Sequence, residues 1–81
     1  MKTAKEMFEK LGYTLIRDNQ HYVEYHFENE LWCEEKEIIF DKDKKTYSFE
    51  YKDSRWDTSV DVETLKAITQ QMKELGWLDD R

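Results

Sequence analysis

Apolar residues recur in this chain with two different periods, and the changes of period divide it into six elements. Near the start, Ala4, Met7, Phe8 and Leu11 lie three and four residues apart, the spacing that gathers side chains on one face of a helix. Thr3 precedes them and Glu6 follows it by three, the arrangement in which a threonine cap and a glutamate satisfy each other's backbone N–H groups. Gly12, just past the last periodic residue, predicts the helix exit. The period then changes to two. Residues 13–17 predict a first strand, and Asp18, Asn19 and Gln20 a turn. Over residues 21–28, Val23, Tyr25 and Phe27 alternate with Tyr22, Glu24, His26 and Glu28. Residues 31–35, Leu-Trp-Cys-Glu-Glu, fit either a wide loop or the start of the next strand. Apolar, β-branched residues 37–40 predict a third strand, and residues 41–45 a charged turn. In a fourth strand over residues 46–52, Tyr47, Phe49 and Tyr51 alternate with Ser48, Glu50 and Lys52, and residues 53–60 read as a loop.

The period returns to that of a helix after Asp61. Val62, Leu65, Ile68, Thr69, Met72 and Leu75 predict its inward face, Asp61 its N-cap, and Gly76 its exit, with Trp77 folding back on the last turn. The two helix exits share their chemistry: Glu9-Lys10-Leu11-Gly12-Tyr13 is echoed by Lys73-Glu74-Leu75-Gly76-Trp77, with no wider repeat around them. The order α-β-β-β-β-α predicts an α+β fold, a four-stranded antiparallel meander with both helices on one face. Val23, Tyr25, Phe27, Ile38, Phe40, Tyr47, Phe49 and Tyr51 are the strand residues expected to face the core.

Composition sharpens this picture. At 81 residues the chain, 1–81, has room for a single domain with a single core. Domains of this size need additional stabilisation. Cys33 is the only cysteine, so no intrachain disulfide supplies it, and with two histidines the ligands of an ordinary structural zinc site are missing. Aromatic residues, 15% of the chain, can supply the buried area instead, and self-association is the other remedy open. A net charge of −6 disfavours nucleic acid and anionic membranes as partners. No apolar run reaches membrane-spanning length, the N-terminal residues lack a signal-peptide core, and a lone cysteine fits a reducing cytoplasm.

Three stretches, TAKEMFEKLGY, EIIFDKDKKTYSFEY and ETLKAITQQMKELGW, together resemble short uncharacterised proteins carried by phages and prophages of Gram-positive bacteria. Those proteins open with a helix ending in LGY and close with one ending in ELGW; the LWCEE stretch has no counterpart among them. The resemblance implies the cytoplasm of a bacterial host and an accessory, host-directed or regulatory role. It carries no catalytic residues.

Several groups of residues invite a chemical reading. Glu24, Glu28, Glu30, Glu34, Glu35 and Glu37 crowd one short stretch. They suit either a solvated sheet face or a surface that fills a basic groove on a partner. Glu24, His26 and Glu28 share a strand face near Cys33, but alternate strand residues stand apart and no fourth ligand is implied, so neither metal nor cofactor is expected. Glu24 and Glu28 as an acid–base pair lack an implied pocket, and no enzyme is expected. A calcium loop starting at Asp41 fails, since its sixth and twelfth places hold Thr46 and Lys52. Residues 45–51 resemble RNA-binding strands only in outline: Thr46 and Glu50 break the pattern, and the element order differs. Trp32 and Trp56 fall in irregular segments, where each either anchors a partner or closes over the core.

These readings converge on a small acidic binding module that engages a protein partner through Trp32, Trp56, Tyr22, Glu24, Glu28, Glu34 and Glu35. The alternative is an oligomer that sequesters a small ligand or nucleotide, with Tyr22, Trp32 or Trp56 stacking on a ring and Arg17, Arg55 or Lys52 pairing with phosphate.

Overall fold

Thr3 and Glu6 form the reciprocal cap that their spacing predicts. The Glu6 N–H donates to Thr3 Oγ1 and the Thr3 N–H to Glu6 Oε1, both at 3.2 Å. The bonds that Thr3 donates to the Glu6 carboxylate, from its N–H and from its hydroxyl at 3.1 Å, hold that carboxyl below its usual pKa. They start α1 (Ala4–Lys10), the first element of a computed structural model that describes residues 2–31, 33–51 and 60–78. Strands β1 (Thr14–Asp18), β2 (Tyr22–Asn29), β3 (Glu34–Asp41) and β4 (Thr46–Tyr51) follow, and α2 (Val62–Glu74) closes the chain. The strands form one antiparallel sheet in the order β1-β2-β3-β4, so the expected α-β-β-β-β-α meander is the fold. Among the described residues, no helix is long and apolar enough to cross a membrane.

The two helix exits match in geometry as they do in sequence. Gly12 and Gly76 adopt φ of +98° and +77°, and the next residue's N–H, from Tyr13 or Trp77, bonds 2.9 Å back to Phe8 or Met72. Both helices pack on the sheet face that bears Tyr25. The Phe8 ring stacks on Tyr25 at 4.1 Å and meets Tyr13 and Phe40 edge-on. Full burial of a side chain like Phe8 is worth about 1.5–3 kcal/mol, much of what anchors a helix too short to persist alone. The Ala4 N–H donates 2.7 Å to Glu74 Oε2, joining the start of α1 to the end of α2, so the helices run antiparallel.

The structure corrects the sequence-based expectations in four places. First, β3 begins at Glu34, three residues earlier than expected, and pairs with β2 as far as Asn29. Second, α2 is turned by roughly a quarter turn from the expected face. It buries Thr64, Ala67, Ile68 and Gln71 and leaves Val62 and Leu65 at 64% and 50% exposure. The cause is polar: the Tyr25 hydroxyl, deep in the core, donates 2.6 Å to Gln71 Oε1, and a buried hydroxyl needs such a partner. Third, Tyr47 lies on the expected face of β4 but stays 42% exposed, because β4 is an edge strand; Phe49 and Tyr51 are half-buried. Fourth, Trp77, expected to be buried, is half-buried with its ring 6.3 Å from Phe40.

A bulge in β1 sets up the opposite face. Leu15 pairs with Tyr25 and Arg17 with Glu24, so Ile16 is an extra residue, 53% exposed. Simple alternation would place Arg17 on the core side with Leu15; the inserted residue moves it to the open side.

Candidate functional site

The face turned away from the helices is where the sheet gathers its carboxylates. The pleat puts Val23, Tyr25, Ile38 and Phe40 inward, so the residues between them point out. The register then sets Glu28 opposite Glu35, and places His26, Glu37 and Glu50 in a row across three strands. Like charges directly opposite on neighbouring strands repel.

At one end of the face the charge is balanced. Glu24 is only 8% exposed, and Arg17 Nε–H donates 2.9 Å to its Oε1, joined by a second guanidinium N–H on the same oxygen. The guanidinium also lies 4.8 Å above the Tyr22 ring. Tyr22 and Glu24 are therefore covered by Arg17 and offer a partner little of their own surface.

Across the rest of the face Glu28 and Glu50 are exposed, while His26, Glu35 and Glu37 are half-buried. His26 sits at its centre, with Nε2 3.7 Å from Glu28 Oε2 and Nδ1 3.6 Å from Glu37 Oε1. Those distances suit ion pairs of a protonated imidazole and exceed a hydrogen bond. His26, Glu35 and Glu37 each offer a ligand atom within 4.8 Å of the others, and a cation held here would draw on these three. Half-exposed carboxylates gather in this way wherever a sheet face is acidic, and the trio belongs to that face. Cys33 is exposed in the turn between β2 and β3, its Sγ 3.9 Å from the Glu30 carbonyl oxygen.

The sequence-predicted residues thus separate into three groups. Tyr22, Glu24, Glu28 and Glu35 do share one face. Glu34 does not: its neighbour Lys36 and the inward Ile38 have the same parity, and the Tyr51 hydroxyl donates 2.7 Å to Glu34 Oε2. Lys36 Nζ, 3.8 Å from that carboxylate, lies over the rings of Phe27 and Tyr51. Glu34 thereby caps the edge of the helix-side layer, although with Glu28 and Glu35 it lines one shallow depression of about 340 Å³ at the β2–β3 turn. Trp32 and Trp56 lie outside the described residues. Glu37, part of the acidic stretch, takes its place in the site, and Glu50 joins it without having been expected there. Their position was legible by parity, since each is one residue from an inward side chain, Ile38 or Phe49.

Fold and site together define a small α+β domain with an acidic open sheet face. Comparisons with known proteins give no match: no family model, no curated protein and no solved structure corresponds to the chain.

Proposed function

We propose that the protein is a binding module whose open sheet face docks a basic surface on a partner protein. The observation that carries this is the register that sets Glu28 against Glu35 and aligns Glu37 with Glu50 across the sheet. Glu28 and Glu50, the exposed members of that set, offer carboxylates that lysines and arginines of a partner would meet. The role is binding, not catalysis. The resemblance to phage-carried proteins supplies the setting, a bacterial cytoplasm in which a host protein is the target.

The test compares the parent with a variant carrying Glu28→Gln, Glu35→Gln, Glu37→Gln and Glu50→Gln. The urea midpoint of each protein is measured first, so that a loss of fold is not read as a loss of binding. Both proteins are immobilised and exposed to bacterial lysate, and each retained protein is then purified and its association rate measured across salt concentrations. A true partner is retained by the parent alone, and associates faster at low salt only with the parent. Retention of the same proteins by both, with equal rates at every salt concentration, would remove the acidic face from the interaction.

A further inference from the structure

The opposite side of the molecule carries a second, chemically different surface. Because α2 is turned, Val62 and Leu65 lie outside the core, and with Met7 and Leu11 of the α1 region they line two adjoining depressions of about 390 and 370 Å³ that meet at Met7. The rim is cationic. Lys2 and Lys10 border one depression, and Lys66 and Lys73 the other; among the described lining residues Glu63 is the one anion. Lys66 and Glu63 pair at 3.6 Å with both side chains well exposed, a contact that yields readily to a competing charge. A chain of net charge −6 therefore presents an apolar groove flanked by lysines on its helical side, back to back with its acidic sheet.

We infer that this groove receives an acidic amphipathic helix from a partner protein, its apolar anchors resting on Met7, Leu11, Val62 and Leu65 and its carboxylates meeting the lysine rim. Charge complementarity selects the sign of the occupant. Dimensions select its form: the 13 residues of α2 run about 20 Å, enough to seat three to four turns of a helix laid along the groove. Two depressions that adjoin at Met7 accept a row of side chains held at fixed spacing, which a helical peptide supplies and a fluid lipid surface does not. A second copy of this chain docked helix face to helix face would bring the two lysine rims together, and is disfavoured for that reason.

The probe is a fluorescein-labelled acidic amphipathic peptide of about 14 residues, with leucines at helical spacing and glutamates between them. Controls are a scrambled peptide and one with lysine for glutamate. The expected result is saturable anisotropy with the acidic peptide, and binding about tenfold or more weaker for both controls. Val62→Asp with Leu65→Asp should weaken it by a similar factor. Both positions are exposed, so the urea midpoint should hold; should that variant fail to fold, Lys10→Gln with Lys66→Gln supplies the same test without touching an apolar side chain. The sheet-face glutamine variant should bind the peptide like the parent, which separates this groove from the acidic face. Absence of binding, or equal binding of the scrambled or lysine peptide, overturns the assignment. So does binding to phosphatidylglycerol vesicles without binding to the peptide. A parent that sediments as a dimer and becomes a monomer on Val62→Asp with Leu65→Asp would show that a second copy fills the groove instead.

Discussion

Replacing Tyr25 with Phe removes a single hydroxyl from the centre of the protein. The ring would stay, with its stack on Phe8 at 4.1 Å, so the change isolates the 2.6 Å hydrogen bond to Gln71 Oε1. Tyr25 and Gln71 are 2% and 7% exposed, so water cannot replace the lost donor. A neutral hydrogen bond contributes a net of about 0.5–1.5 kcal/mol, but a buried acceptor left without a donor costs about 1–3 kcal/mol. The expected loss is therefore about 2 kcal/mol, or a Tm lower by about 8–16 °C in a domain of this length. Gln71→Leu should cost a similar amount by stranding the hydroxyl. Tyr25→Phe combined with Gln71→Leu removes both polar groups, and should lie within about 1 kcal/mol of the parent. Urea unfolding of the four proteins closes the cycle. A Tyr25→Phe variant within about 0.5 kcal/mol of the parent, or a double variant that loses the sum of the two singles, would refute this account of why α2 is turned as it is.

Two further outcomes follow from local geometry. Gly12→Ala should destabilise more than Gly76→Ala: each imposes the left-handed penalty of about 1–2 kcal/mol, but a Cβ at Gly12 would lie 2.9 Å from Phe27 Cε2 while one at Gly76 meets nothing within 4 Å. Equal urea midpoints would show that Phe27 yields without cost. In alkali, burial, aided by the carboxylates of Asp61 and Glu34, holds the Tyr13 hydroxyl protonated up to about 12. The unfolded chain releases that proton near pH 10, so stability is intact below about pH 10 and falls as pH rises towards 12. Tyr13→Phe should make the urea midpoint fall less steeply over that interval, and an identical slope in both proteins would assign the alkaline loss elsewhere.

The elements of the fold were readable because each rests on a local rule. Thr3 with Glu6 and Asp61 with Thr64 act within one turn of helix; the Asp61 carboxylate accepts from the Thr64 N–H at 2.7 Å, and the Thr64 hydroxyl together with that N–H holds it below its usual pKa. Alternation over residues 22–28 and 46–51 assigned faces correctly, because a strand's period does not depend on its neighbours. The rotation of α2 was hidden because Val62 and Leu65 make as regular a stripe as Thr64, Ala67, Ile68 and Gln71. The bond that goes with the observed face, from the Tyr25 hydroxyl to Gln71, spans 46 residues of sequence and leaves no mark in the periodicity. The site was half legible for a related reason. Parity places Glu28, Glu35, Glu37 and Glu50 together once the strands are paired, but the early start of β3 and the bulge at Ile16 depend on that pairing. Glu34 adjoins the acidic residues in sequence, yet the pleat turns it to the other face, and nearness along a strand is a poor guide to nearness in space.

The bond from the Ala4 N–H to Glu74 Oε2 brings the start of α1 to the end of α2. A short glycine-serine linker could join the end of α2 to the start of α1, and the chain could then be opened at the exposed β3–β4 turn, where Lys45 already adopts a φ of +55°. Such a circular permutant would place both new ends beside the edge strand β4, away from the helical groove. As a scaffold, the domain could then be fused to a display or reporter protein from the sheet side while its helices face solution.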